Sequence, residues 1–366
     1  MKEQTAPDPV SLLAWYDMHA RTLPWRVPPK LGKSGMRADP YRVWLSEIML
    51  QQTTVATVRS YFETFTERWP SISDLAATSE ENVLKAWAGL GYYSRARNLK
   101  KCADMIVTRY GGQFPDTEDE LLTLPGVGAY TAAAIGAIAF DRPATVVDGN
   151  VERVISRIYG VETPLPAAKK EIKSRATALT PKLRPGDYAQ AMMDLGATLC
   201  SPRKPACGLC PWQKSCHAHR VGNAELLPKK APKKKKPQRY GVAFVAVRTD
   251  GAVLLRQRPD KGLLAAMTEV PGSDWQEAFT FPTQLTVGHQ APLEGNWQKT
   301  SDNVKHTFTH FHLELEIWRS DVPLETIPPS PHWWSLPADI EQEALPTVMR
   351  KAVAAGLGRA IKARTG

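Results

Sequence analysis

Four cysteines in the pattern C-x6-C-x2-C-x5-C (Cys200, Cys207, Cys210 and Cys216) are the residues best equipped for chemistry. Four thiolates brought back to one short loop can hold a single tetrahedral metal ion or a cubane cluster. The Cys-x-x-Cys pair sets two sulfurs on one tight turn, and the wider gaps let the chain circle back. Spacing alone leaves zinc, an iron–sulfur cluster and a disulfide pair open. Cys102 lies far away in a helical stretch and reads as packing. Arg203, Lys204, Trp212 and Lys214 surround the loop, which therefore suits an anionic surface such as DNA.

Two carboxylates are the next candidates. Glu47 sits in Val-Trp-Leu-Ser-Glu-Ile-Met-Leu, a helical run with little other charge. If that face meets a pocket, desolvation raises its pKa and keeps it protonated, as a general acid must be. Asp148, in Val147-Asp148-Gly149-Asn150-Val151, precedes apolar residues at 151, 154, 155 and 158. It reads as a helix N-cap, where orphan amides and the dipole favour the anion. A neutral acid opposite a charged carboxylate suits cleavage of a glycosidic bond through a cationic sugar. The plainer readings are an exposed helix position for Glu47 and a simple cap for Asp148. Between them, Leu124-Pro125-Gly126-Val127-Gly128-Ala129-Tyr130 joins two short helices. Its glycines permit a sharp turn and present amides at a helix start, a site for a DNA phosphate.

The elements that must position these residues fall into two textures. Before residue 229, apolar residues recur at helical spacing. The pattern predicts a helix from Asp39-Pro40 through Tyr41 to about Phe65, and others near 81–88, 95–110, 117–123, 129–140, 150–160, 168–179 and 187–199. After residue 239 the period becomes two. It predicts strands from Val242 to an Asp250-Gly251 turn, over Val253–Arg258, and over His306–Trp318, then a closing helix at 345–361. The expected domains are 1–228, all helical, and 240–366, a smaller α/β domain, joined by a basic linker at 229–239. That linker carries seven of the ten net positive charges, leaving +3 elsewhere. A prolyl, lysine-rich run suits a solvated linker that also lies on phosphate. No signal peptide or membrane span is visible, and cysteines spent on a metal fit a reducing cytosolic or nuclear setting. The N-terminus and compact linker point to a bacterial cytoplasm, although the lysine run could imitate a nuclear signal.

Read in order, Leu50-Gln51-Gln52-Thr53, Gly89-Leu90-Gly91-Tyr92-Tyr93-Ser94-Arg95, the Gly126-Val127-Gly128 hairpin, Val147-Asp148-Gly149-Asn150 and the four cysteines resemble the MutY-type adenine DNA glycosylases of the endonuclease III-like helix–hairpin–helix superfamily. The resemblance runs from about residue 10 to 220 and continues more weakly beyond. It implies an all-helical glycosylase domain with an iron–sulfur loop, followed by a Nudix-like α/β domain. It also implies a [4Fe–4S] cluster on the four cysteines and, as substrate, double-stranded DNA with adenine opposite 8-oxoguanine or guanine. A monomer is the expected state for an enzyme that slides on duplex DNA.

The same resemblance implies residue roles. Glu47 protonates the adenine ring and Asp148 stabilises the oxocarbenium-like sugar, electrostatically or as a transient adduct. Asn150 orients Asp148 and water, and Tyr130 packs or hydrogen-bonds in the site. Bifunctional relatives carry a lysine at position 130, so Tyr130 implies a glycosylase without lyase activity. Gln52 and Tyr92 match residues that intrude beside 8-oxoguanine, while Arg26 and Gln190 match positions lining the adenine pocket. An unusual insertion at Val27–Arg37 follows Arg26. In the C-terminal half, Gly262-Leu263-Leu264 and Val270-Pro271-Gly272 resemble part of a Nudix fold. The stretch after Gly272 lacks the glutamates that magnesium and pyrophosphate require. Phe308-Thr309-His310 matches a Phe-Ser-His loop that reads the damaged base, with threonine for serine. His306, His310 and His312 also alternate in a way that admits a zinc site, ordinary strand positions being the plainer reading.

Overall fold

The computed structural model describes residues 6–232 and 235–358. They divide into two compact units, one of residues 6–77 with 101–232 and the other of residues 78–100 with 235–358. No helix among the described residues is long and apolar enough to cross a membrane.

The first unit is helical because its apolar residues recur every three to four positions and polar caps mark where helices start. Asp8 caps the Pro9–His19 helix by accepting from the amides of Val10 and Ser11, and Asp39 caps Pro40–Leu50 by accepting from Tyr41. Proline at the first helical position costs no hydrogen bond in either case. The core of this unit contains Leu12, Tyr16, Val151, Ile155, Tyr188 and Leu195. It joins the Pro9–His19, Gly149–Tyr159, Lys169–Leu179 and Pro185–Thr198 helices.

One predicted helix is two. The helix beginning at Pro40 ends at Leu50, and the next spans Val55–Arg68. Gln51 leaves helical geometry, Gln52 turns left-handed at φ 60, and the Thr54 hydroxyl accepts from Thr57 N as a new N-cap. A threonine side chain that competes for backbone amides breaks a helix whose apolar pattern would otherwise continue. The Val27–Arg37 insertion forms a short helix, Pro29–Lys33. Lys33 pairs with Asp17 at 2.5 Å and Arg37 with Asp141 at 2.9 Å, which pins it.

The second unit contains a seven-stranded mixed sheet. Gln238–Arg248 and His312–Val322 run parallel at its centre, with Gln238 opposite His312 and Arg248 opposite Val322. Alternate residues face opposite ways. Ala243, Val245, Leu315 and Ile317 pack with Val348, Met349 and Val353 of the closing Thr347–Leu357 helix. Val242, Phe244 and Trp318 pack with Val287 and Trp297 on the other face. The predicted single strand His306–Trp318 is a hairpin instead. Val304–Thr307 folds back antiparallel on the long strand, with Thr307 opposite His312, and Phe308 N donates to Phe311 O at 2.9 Å. Phe308, Thr309 and His310 therefore lie in a turn. The closing helix ends at Leu357, and predicted positions 359–361 lie outside the described residues.

Both ends of the basic run are built into structure. Leu165 exchanges backbone hydrogen bonds with Lys229 O at 2.8 Å and Ala231 N at 3.0 Å. Gln238 and Arg239 already belong to the central strand, and Lys236 Nζ donates to Phe308 O at 2.9 Å. Residues 233 and 234 lie outside the described residues.

Candidate active site and metal centre

The Pro40–Leu50 helix turns Glu47 inward, leaving it 6% exposed, which removes the exposed-helix reading. The Tyr130 hydroxyl, from the first turn of the Ala129–Phe140 helix, donates to Glu47 Oε2 at 2.8 Å. Burial pushes the Glu47 carboxyl up to about 7; the Tyr130 bond and the Arg26 charge pull it down, and Asp148 pushes it up. Desolvation wins, so Glu47 retains a proton near neutrality.

Asp148 is the N-cap of Gly149–Tyr159. Its carboxylate accepts from Val151 N at 2.7 Å and from Asn150 Nδ2 at 2.8 Å. Arg153 Nη2 holds Asn150 Oδ1 at 2.9 Å and also reaches Gly196 O at 2.7 Å. Arg153 Nε donates to Cys200 O at 2.7 Å, so one guanidinium links the Asp148–Asn150 pair to the first residue of the cysteine loop.

Glu47, Tyr130, Asp148, Asn150, Arg26, Gln52 and Gln190 line a single cleft of about 620 Å³. Gln190 is 5% exposed; its Nε2 donates to Gly186 O at 3.3 Å, while its buried Oε1 has no protein partner. The Arg26 side chain is also buried, its Nη1 lying 2.8 Å from both oxygens of Asp194. Gln52 is exposed at the rim in its left-handed turn. Trp25 and Trp44 are core residues.

At the hairpin, Gly126 has φ 79 and Gly128 begins the next helix without a side-chain cap. Val127 buries its side chain and spends its amide on Leu124 O at 3.1 Å. The turn therefore presents the helix-start amides that follow Val127.

In the second unit, Tyr92 is exposed at φ 49 and its hydroxyl lies 2.9 Å from Thr309 Oγ1. Arg95 Nη2 donates to the carbonyls of Leu90 and Gly91, each at 3.1 Å, and its guanidinium sits over the Tyr92 ring at 5.6 Å. Phe308 is half-buried and stacks on Trp275, while Thr309 and His310 are exposed. Tyr92, Phe308, Thr309 and His310 line a second cavity of about 360 Å³.

Cys200, Cys207, Cys210 and Cys216 line one cavity, and Cys102 is wholly buried elsewhere. The four are free thiols, so the disulfide alternative fails. Arg157, 1% exposed, donates to Cys200 Sγ at 3.3 Å and Ser201 O at 2.7 Å through Nη1, and to Pro202 O at 3.0 Å through Nη2. A donor set of four thiols backed by a buried cation fits an anionic iron–sulfur group. Among the described residues no three His, Cys, Asp or Glu side chains are grouped as ligands of one metal ion, the three histidines of the 306–312 segment included.

Arg153, Arg157 and Asp194 were not singled out from the sequence. The available signal was the four-residue spacing of the two arginines beside the apolar stripe of one helix.

Residues 45–182 match the HhH-GPD superfamily of base excision DNA repair proteins, residues 200–216 the iron–sulfur binding domain of endonuclease III, and residues 242–355 the NUDIX domain. The human adenine DNA glycosylase is 35% identical across 93% of this chain and 72% of its own. That of Buchnera aphidicola from Acyrthosiphon pisum is 35% identical across 83% of both. A solved thermostable thymine-DNA glycosylase superposes with a TM-score of 0.50 and 30% identity, covering 58% of this chain and 95% of its own. The helical fold, the iron–sulfur loop and the Nudix-like domain thus agree with one assignment: the chain belongs to the MutY-type adenine DNA glycosylases, DNA-binding base-excision-repair enzymes that hydrolyse N-glycosyl bonds.

Proposed function

We propose that the chain removes adenine mispaired with 8-oxoguanine or with guanine, by hydrolysis and without strand cleavage. The observation that carries this reading is one cleft holding a buried, proton-retaining Glu47 and an Asp148 carboxylate anchored at a helix N-terminus. The mispaired deoxyadenosine is flipped from the stack, which costs roughly a few kcal/mol. Tyr130 donates to Oε2, leaving Oε1 to deliver the proton to a ring nitrogen so that adenine departs neutral. Asp148 stabilises the cationic sugar left behind. Asn150 keeps that carboxylate aimed and orients the water that completes hydrolysis.

Arg26 supplies a donor and the partnerless Gln190 Oε1 an acceptor, a pair that suits the edge of adenine. The helix-start amides after Gly126-Val127 receive a backbone phosphate. Gln52 and Tyr92 enter the duplex beside the lesion, and Phe308, Thr309 and His310 read it. Tyr130 offers a phenol where a lyase needs an amine, which supports a monofunctional enzyme. The four cysteines would hold a [4Fe–4S] cluster, which would stiffen the loop, while Arg203, Lys204 and Lys214 supply its positive surface toward DNA. The match of residues 200–216 to the iron–sulfur binding domain of endonuclease III supports that over a single zinc. The protein acts as a monomer on its duplex.

A single-turnover assay on an 8-oxoguanine:adenine duplex, run with and without alkali, tests this. Breaks that appear only after alkali are expected. Breaks without alkali would establish a lyase, and no breaks under either condition would remove the activity.

A further inference from the structure

We infer that Asp194 is a positioning residue for excision: buried behind the cleft, it seizes the Arg26 guanidinium and keeps that cation from pairing with Glu47. Asp194 is 0% exposed. Its oxygens accept from Arg21 N at 2.9 Å, Arg21 Nε at 2.6 Å and Arg26 Nη1 at 2.8 Å. It stands one helical turn after Gln190 on Pro185–Thr198, so the residue that lines the cleft and the residue behind it share one rigid element.

The contest is electrostatic. A buried guanidinium must have a carboxylate partner. Two are within its influence, Asp194 by direct hydrogen bonds and Glu47 through its charge. An ion pair with Glu47 would hold that carboxyl deprotonated and remove the acid. Asp194 settles the choice because both its oxygens already face Arg21 and Arg26. The other ionisable groups around the cleft are Tyr16 from Pro9–His19, Tyr130 from Ala129–Phe140, Asp148 and Glu152 of Gly149–Tyr159, and Lys169, with the Asp187–Arg184 pair behind Tyr16. Burial raises both phenols, so neither competes as an anion. The inference rests on Glu47 being the proton donor.

The test is the pH dependence of single-turnover excision by the full chain on an 8-oxoguanine:adenine duplex. With Asp194→Asn, the fall in rate with rising pH moves to lower pH by about one unit, because the unpaired guanidinium draws Glu47 toward its anion. Asp194→Glu restores the profile. Arg26→Met moves the fall the other way, to higher pH, and decides the matter if Asp194→Asn does not fold. A uniformly slower Asp194→Asn enzyme with an unmoved profile overturns the inference, as does an unmoved profile in Arg26→Met. Glu47→Gln separates the layers. If it remains active, the proton-donor reading fails; if it is dead while the Asp194 and Arg26 profiles stay put, only the present inference fails.

Discussion

Gly196 meets Asn150 so closely that a β-carbon on the glycine would lie 2.5 Å from Asn150 Cβ and 3.1 Å from its Cα. The Pro185–Thr198 helix therefore presses directly on the residue that holds Asp148. Gly196→Ala should push Asn150 aside, at about 1–3 kcal/mol of stability. Excision should slow by more than the melting temperature suggests. Thermal melts and single-turnover rates on the same preparation check this; a destabilised variant with the full rate would show that Asn150 does not matter.

Arg153 links Asn150 to the carbonyl of Cys200. Arg153→Met removes the charge-assisted hydrogen bonds to Asn150, Gly149, Gly196 and Cys200 and leaves Asn150 free to rotate. Loss of one such bond is worth roughly 1.5–3 kcal/mol, so excision should fall about tenfold or more while duplex binding persists. Iron content, measured alongside the rate, separates a loosened Asn150 from a lost cysteine loop.

Glu47 burdens the fold. Its carboxyl, pushed up to about 7 in the folded protein, binds a proton more tightly than in the unfolded chain. Its contribution to stability is therefore fully present below the unfolded value of about 4.5 and is lost as pH rises through 7, a change of roughly 3 kcal/mol. Glu47→Gln should raise the melting temperature at pH 8 relative to the parent, and the difference should shrink by pH 5. The same variant should lose about 10²–10⁴-fold in excision rate. Tyr130→Phe removes a bond that lowers the Glu47 value, so it should shift the alkaline fall in rate upward.

Thr309 and Tyr92 share a hydrogen bond at exposed positions. Thr309→Ala should alter stability by less than about 0.5 kcal/mol. Its effect should appear in the ratio of rates on 8-oxoguanine:adenine and guanine:adenine duplexes, which should fall. An unchanged ratio would remove Thr309 from lesion recognition.

Much of this was legible in the chain because it rests on local rules. Helical period, caps such as Asp39 and Asp148, and the close cysteine spacing are properties of neighbouring residues. They marked most of the helices and, in the cleft, Glu47 and Asp148; alternation marked the strands, and the rest of the cleft came from the family resemblance. Two elements misled by the same logic. Apolar residues resume at Val55 and Val58 after the polar Gln51–Thr54, and the chain on both sides of the Phe308–Phe311 turn alternates as a strand does. In both places backbone geometry, a left-handed Gln52 in the first and a hairpin in the second, overrode a continuing pattern.

What tertiary structure alone decided is which charges meet. Glu47 and Tyr130 are 83 residues apart, and Arg26 and Asp194 are 168 apart. No local pattern ties such residues together, since their pairing depends on how helices pack and which side chains lose water. Sequence supplied a carboxyl able to serve as an acid. Burial against Tyr130, with Arg26 held by Asp194, makes that carboxyl keep its proton, because desolvation is a property of the assembled cleft and not of any segment.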